Sequence, residues 1–172
     1  MTLILVGYMG SGKSSVGKKL SKVVNYNFID FDTYIEEKVG MKVSDIFKTK
    51  GEVFFRKQEH LYLKEVVTKR KTIVALGGGT PCYGNNLNSI KEAEHSKMIY
   101  LKSSISNLTD RLFEEKSSRP LISHIDTKEN LLEFIGKHVF ERAPIYEQAD
   151  IIIKTDALSL DKVVESVLLE LF

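Results

Sequence analysis

The sequence predicts an α/β fold in which helices sandwich a mostly parallel sheet, and two observations carry that reading. Short β-prone runs alternate with helix-length amphipathic stretches along the whole chain, the pattern of consecutive βαβ units. Two glycine-rich turns each follow directly on an apolar strand, so the unusual polar residues fall at the carboxyl ends of strands, where open parallel sheets collect ligands.

Thr2 to Val6 is a continuous apolar run, as a strand buried on both faces requires, and it feeds the loop Gly7 to Gly12 and a helical Lys13 to Leu20. Asn27 to Asp30 makes a second strand. Tyr34, Ile35 and Val39 then mark the inward face of a helix that Gly40 stops. A further helical stretch through Val43, Ile46 and Phe47 breaks near Gly51. Glu52 to Lys69 continues with Phe55, Leu61, Leu63, Val66 and Val67 as expected core contacts. Thr72 to Leu76 is the third strand and ends in Gly77, Gly78 and Gly79, a backbone able to bend tightly or approach a ligand without Cβ clashes. Lys97 to Leu101 is the fourth strand, followed by Ile105, Leu108 and Leu112 at helical spacing. Glu114 to Asp126 carries no core pattern. Leu131, Leu132, Ile135 and Val139 restart a helix, and Ile151 to Ile153 supplies the fifth strand. Leu160, Val163, Val164, Val167, Leu168 and Leu171 form the inward face of a last helix.

Length and composition bound the function. At 172 residues, without repeats or a Gly/Ser linker, the chain reads as one domain, residues 1–172. Lys plus Arg number 25 against 23 Asp plus Glu, so no single-sign field draws the chain to nucleic acid or a membrane. The 42% hydrophobic content suffices for a core and argues against disorder. Cys82 is the only cysteine, expected as a small buried packing group, and the four scattered histidines give no zinc-ligand spacing. A reducing compartment, the cytoplasm, fits a lone cysteine best. The apolar run Met1 to Gly7 lacks a basic leader and reads as a strand, not a signal peptide.

Gly7-Tyr-Met-Gly10-Ser11-Gly12-Lys13-Ser14 fits GxxxxGK[ST] and sits directly after a strand, the context a P-loop needs. Its backbone N–H groups curl around phosphate oxygens, Lys13 reaches the outer phosphates, and the Ser14 hydroxyl can meet a magnesium ion. The amino end of the following helix favours the same anion. Asp30 and Asp32 come next, because magnesium takes hard oxygen ligands and keeps part of its water shell. Two residues apart at a strand's end, both carboxylates can project to one side before the next helix starts. Either suits a magnesium-bound water and the other an accepting hydroxyl; a helix cap plus a solvated carboxylate is the plainer alternative. Among the arginines, Arg119 beside Pro120 lies where a mobile cationic loop could cover phosphates. Arg56 breaks an apolar stretch beside Phe54 and Phe55, and Arg142 lies where a helix runs into Pro144. Guanidinium forks of this kind pair a carboxylate bidentately.

These residues together resemble the shikimate kinase family along essentially the whole chain: the P-loop, Phe28-Ile-Asp30-Phe-Asp32, Ile46-Phe47 with Gly51-Glu52 and Phe55-Arg56, Leu76-Gly77-Gly78-Gly79, Arg119-Pro120-Leu121, and Arg142-Ala-Pro-Ile-Tyr146. The resemblance implies a P-loop NTPase-like three-layer sandwich whose five parallel strands run in the order 2-3-1-4-5. It also implies a substrate-binding helical segment about 33–60 and a mobile lid about 113–124. The implied reaction moves a phosphoryl group from ATP to the 3-hydroxyl of shikimate with Mg2+. Gly10, Ser11, Gly12, Lys13, Ser14 and Ser15 then cradle ATP, with Arg119 on its phosphates and Arg111 along the adenine. Ser14 and Asp30 serve the metal, and Asp32 aligns the hydroxyl. Arg56, Arg142, Gly78 and Gly79 hold the shikimate carboxylate. Lys13, Asp32 and Arg119 form the catalytic set in a monomer that meets neither nucleic acid nor membrane. The alternatives are another small-metabolite kinase resembling gluconate kinase, and a non-catalytic nucleotide-responsive module.

Overall fold

The computed structural model describes residues 1–172. Five parallel strands, β1 (Thr2–Val6), β2 (Asn27–Asp30), β3 (Thr72–Ala75), β4 (Ser96–Lys102) and β5 (Ile151–Lys154), stand in the order β2-β3-β1-β4-β5. β1 is central, pairing Leu3 with Ile73 on one side and with Lys97 on the other. All five of its residues are buried, which explains its unbroken apolar run.

Alternation along β1 sorts the core into two layers. Leu3 and Leu5 face α1 (Lys13–Val24) and α7 (Leu160–Leu171), joining Val16, Leu20, Val163 and Val167. Ile4 and Val6 face the other layer with Phe31, Ile35, Ile46, Phe55 and Leu63, from α2 (Phe31–Val39) and α3 (Val43–Val66). α4 (Asn86–Lys91), a short helix the sequence pattern does not announce, adds Ile90 to this layer. A third cluster lies beyond the strand ends, where Tyr8 of the P-loop packs with Leu108 and Leu112 of α5 (Ile105–Glu115) and with Leu131 and Ile135 of α6 (Lys128–Tyr146). Side-chain caps fix where three helices begin: Ser104 accepts from Asn107 N, Thr127 from Asn130 N and Ser159 from Lys162 N.

Several expectations are corrected. Leu61, Leu132 and Leu160 are exposed rather than in the core, since on each of these helices other residues already fill the inward face. The break expected near Gly51 is present: that glycine takes the non-helical φ 83° and ψ 171°, so α3 is two helical stretches joined at a kink, the second starting at Glu52. α6 runs past Pro144 to Tyr146. The stretch Glu114 to Asp126 is not free of core residues: Ile122 and Ile125 are buried in the third cluster, and Lys116 Nζ donates to Ile125 O at 3.0 Å. Cys82 is half-buried against the α3-side core rather than wholly enclosed. No helix is long and apolar enough to cross a membrane.

Candidate active site

The P-loop must turn the chain from β1 into α1 while aiming N–H groups inward, and Gly7, Gly10 and Gly12 take φ values of 145°, 79° and 89° to do so. A Cβ on Gly7 would also meet Leu101 O at 2.8 Å. Lys13 folds back over the loop, donating from Nζ to Gly7 O at 2.8 Å and Tyr8 O at 3.0 Å. Burial pulls its ammonium down to about 8, against the opposing pull of the Asp32 carboxylate.

Asp30 is both the last residue of β2 and the N-cap of α2, accepting from Thr33 N. Its Oδ2 also accepts from Ser14 Oγ at 2.7 Å. Asp32 lies inside the first turn of α2, which corrects the expectation that the helix starts after both carboxylates. Between them Phe31 is fully buried, worth about 1.5–3 kcal/mol, and anchors the triplet so that both flanking carboxylates face one cleft. Asp30 is therefore a cap as well as a site residue. Burial pushes the Asp32 carboxyl up to about 6, helped by Asp30 and Glu59 and opposed by Lys13, so it remains mostly ionised at neutral pH.

That cleft, about 390 Å³, brings together Gly10, Gly12, Lys13, Ser14, Ser15, Asp30, Asp32, Gly78, Arg111 and Arg119. Ser11 is buried beneath it, its hydroxyl without a hydrogen-bond partner, and lines a second cavity of about 240 Å³ with Arg111, Thr155 and Leu158. Arg111 thus stands between the two cavities, with Nη1 donating to Gly10 O at 3.1 Å. Arg119 reaches the first cleft while paired through Nε and Nη2 with Glu115 Oε2, at 3.1 and 2.8 Å.

The Gly77–Gly79 turn forms the wall beside the cleft. A Cβ on Gly79 would lie 3.4 Å from Arg56 Nη2, and one on Gly78 would lie 3.6 Å from Arg142 Nη1. The two forks therefore come from α3 and α6 to the same glycine turn, which lacks side chains that would keep them away.

Some contributors escape sequence reasoning. Glu59 is buried, accepts from Arg56 Nη1 at 2.8 Å and from Thr80 Oγ1 at 2.7 Å, and so fixes one end of the Arg56 fork. Its three-residue spacing from Arg56 on a helix was the available signal. The Tyr83 ring lies 3.5 Å from the Arg56 guanidinium carbon, a stacking contact that no local pattern announces. Glu115 on the cleft wall is likewise unmarked in sequence.

The donors fit magnesium. No three or more His, Cys, Asp or Glu converge as a metal cage. Instead the Ser14 hydroxyl and the Asp30 carboxylate stand hydrogen-bonded at the cleft, the sparse hard-oxygen set that this ion completes with waters and phosphates.

Comparison with known proteins agrees with this geometry. Residues 9–172 match the family model described as shikimate kinase. A shikimate kinase from Flavobacterium johnsoniae is 40% identical over 96% of each chain. The crystal structure of shikimate kinase from Bacteroides thetaiotaomicron superposes with a TM-score of 0.91 at 32% identity, covering 99% of this chain and 98% of the other. That of the Acinetobacter baumannii enzyme in complex with shikimate gives 0.84 at 29% identity, covering 97% and 90%.

Proposed function

The chain belongs to the shikimate kinase family and phosphorylates shikimate with ATP, and from that premise we propose how its residues divide the work. The phosphates of ATP lie in the P-loop, held by backbone N–H groups of Gly10 to Ser15 and by Lys13, which leaves its carbonyl partners to meet them. Arg119, released from Glu115, pairs with the same phosphates, and Arg111 lines the nucleoside side. Ser14 and Asp30 hold Mg2+, which when bound offsets phosphate charge.

Shikimate fits the remaining part of the cleft. Its carboxylate pairs with the Arg56 and Arg142 forks over Gly78 and Gly79, which turns its 3-hydroxyl toward Asp32. Asp32 accepts a hydrogen bond from that hydroxyl, aligns its oxygen with the γ-phosphorus and takes up the proton as the new O–P bond forms and the bond from the γ-phosphorus to the β,γ-bridging oxygen breaks, ADP leaving with that electron pair. Catalysis is then mainly placement and charge stabilisation by Lys13 and Arg119. Residues 33–60 act as the substrate-binding segment and 113–124 as the lid, anchored at Ile122 and moving around Arg119 to exclude water, a competing acceptor.

One observation carries this reading: a carboxylate on the P-loop cleft adjoins two guanidinium forks meeting at one glycine turn. A nucleotide switch needs neither, and gluconate kinase-like chemistry is set aside by the family match. The same reading takes the protein as a monomer, and the lone cysteine supports a reducing cytoplasm. Incubation with MgATP and shikimate, gluconate or a nucleoside monophosphate, with product masses measured, should give ADP and shikimate 3-phosphate. Turnover of another acceptor without phosphorylated shikimate would overturn the assignment.

A further inference from the structure

Tyr8, the first variable residue of the P-loop, does more than fill space. Its ring is buried, and its carbonyl accepts from Lys13 Nζ at 3.0 Å. Its hydroxyl reaches across to α6 and lies 3.0 Å from His138 Nδ1. Four residues on from His138, and hence on the same face of α6, the Arg142 guanidinium carbon sits 5.7 Å from the Tyr8 ring centroid. One further turn along, Tyr146 donates its hydroxyl to Gly78 O. A single helical face therefore grips both loops of the site: His138 and Arg142 hold the P-loop through Tyr8, and Tyr146 holds the glycine turn.

The surroundings keep both partners of the Tyr8–His138 bond uncharged. Burial pushes the Tyr8 phenol up to about 12, with the Arg142 charge pulling the other way, so the hydroxyl keeps its proton. Burial also holds the His138 imidazole below its usual value, and the Arg142 charge adds to this, so the ring is neutral at physiological pH. With both groups neutral, the bond holds in either ring tautomer: the phenol donates to Nδ1 when the ring proton is on Nε2, and Nδ1–H donates to the phenol oxygen when it is on Nδ1. Phe134 packs against the imidazole, with ring centroids 4.4 Å apart, and limits its rotation.

We propose that Tyr8 and His138 are positioning residues whose hydrogen bond locks the P-loop to the helix carrying Arg142, fixing the distance between the Lys13 ammonium and the carboxylate fork during phosphoryl transfer. The inference rests on reading Arg142 as a shikimate-carboxylate residue. Neither Tyr8 nor His138 touches a substrate in this scheme. Their loss leaves each substrate able to bind alone and spoils the alignment of the two together, where a misplacement of about 1 Å costs up to about 10²-fold in rate.

The test uses Tyr8→Phe, which deletes one oxygen and keeps the ring, the carbonyl and the packing, alongside His138→Phe and His138→Asn. Tyr8→Phe and His138→Phe should each lower kcat about tenfold, while dissociation constants for shikimate alone and ATP alone move less than about threefold. The double variant should be no worse than either single one, because both remove the same bond. His138→Asn, whose amide oxygen occupies the place of Nδ1, should recover most of the lost kcat. A purely structural pair would instead lower the melting temperature and leave kcat intact. Unchanged kcat in folded Tyr8→Phe, or losses that multiply in the double variant, would overturn the proposal; if His138→Phe does not fold, Tyr8→Phe decides alone. Arg142→Lys in parallel separates the two readings. If it leaves shikimate binding unaltered, the Arg142 assignment fails and this inference falls with it. If it weakens shikimate while Tyr8→Phe leaves kcat unchanged, only the positioning role fails.

Discussion

Replacing Arg56 by Lys keeps the charge and removes the shape. In the structure one end of the guanidinium is committed, since Nη1 donates to buried Glu59 at 2.8 Å, while the face stacks 3.5 Å from the Tyr83 ring centroid. The Nη2 edge is what remains for a ligand, and it fronts Gly79. A Lys ammonium has no second edge: drawn to Glu59, it leaves the acceptor site, and outside that pair it cannot stack. The substitution therefore forfeits one charge-assisted hydrogen bond, about 1.5–3 kcal/mol, and a stacking contact of about 0.5–1 kcal/mol. Part of the Coulomb attraction survives. A net loss of about 2 kcal/mol, at about 1.4 kcal/mol per tenfold, raises the shikimate KM about 30-fold. Coupled ADP-release kinetics read this directly, with ATP affinity measured without shikimate as the control. The carboxamide analogue of shikimate sharpens the assay, because the parent protein already lacks the charge-assisted pairing to it. The analogue should bind the parent poorly and lose much less on substitution than the acid does. Equal losses for acid and amide would refute the reasoning and assign Arg56 to the fold or the lid.

The other expectations concern single groups. Lys13→Ala should cut kcat by at least about 10²-fold in a folded protein, the cost of losing a preorganised donor to the transferring phosphoryl group; near-parental turnover would reject the phosphate geometry. Asp32→Asn keeps size and removes the proton acceptor, so kcat should fall about 10²-fold or more with MgATP affinity retained, and an unchanged kcat would leave Asp32 structural. Glu115→Gln frees Arg119 and takes a negative charge off the cleft wall; as a half-exposed pair worth about 0–1 kcal/mol, it should lower the ATP KM by no more than about fivefold, and a higher KM would give Glu115 a supporting role instead. Gly17→Ala puts a Cβ 2.4 Å from Phe28 Cε2 and 3.2 Å from Leu5 Cδ1, so urea unfolding should report about 1–3 kcal/mol of lost stability with little change in kcat.

Features written in neighbouring residues were legible before any coordinates. The strand-loop-helix at Gly7 to Leu20 depends on bonds within a few residues, so its glycines, lysine and hydroxyl announce both structure and chemistry. The Asp30-Phe31-Asp32 triplet shows its two carboxylates and the cap as an alternative reading, and only the turn it makes reveals that Asp30 is the cap and also lines the cleft. Periodicity showed that helices exist and have an apolar face. It does not show which residues of that face find a partner: the period points Leu61 and Leu132 inward, where the fold leaves them exposed, and gives no sign of Ile122 and Ile125, which the fold buries. The five strands were countable from sequence, and their order was implied only by family resemblance. The stack of Tyr83 on Arg56 and the bond from Tyr8 to His138 join residues 27 and 130 positions apart, and nothing in either neighbourhood encodes them. Such contacts are set by the crossing of whole elements over the sheet: local sequence fixes each backbone's conformation, whereas the meeting of two distant side chains depends on how every intervening helix and strand packs.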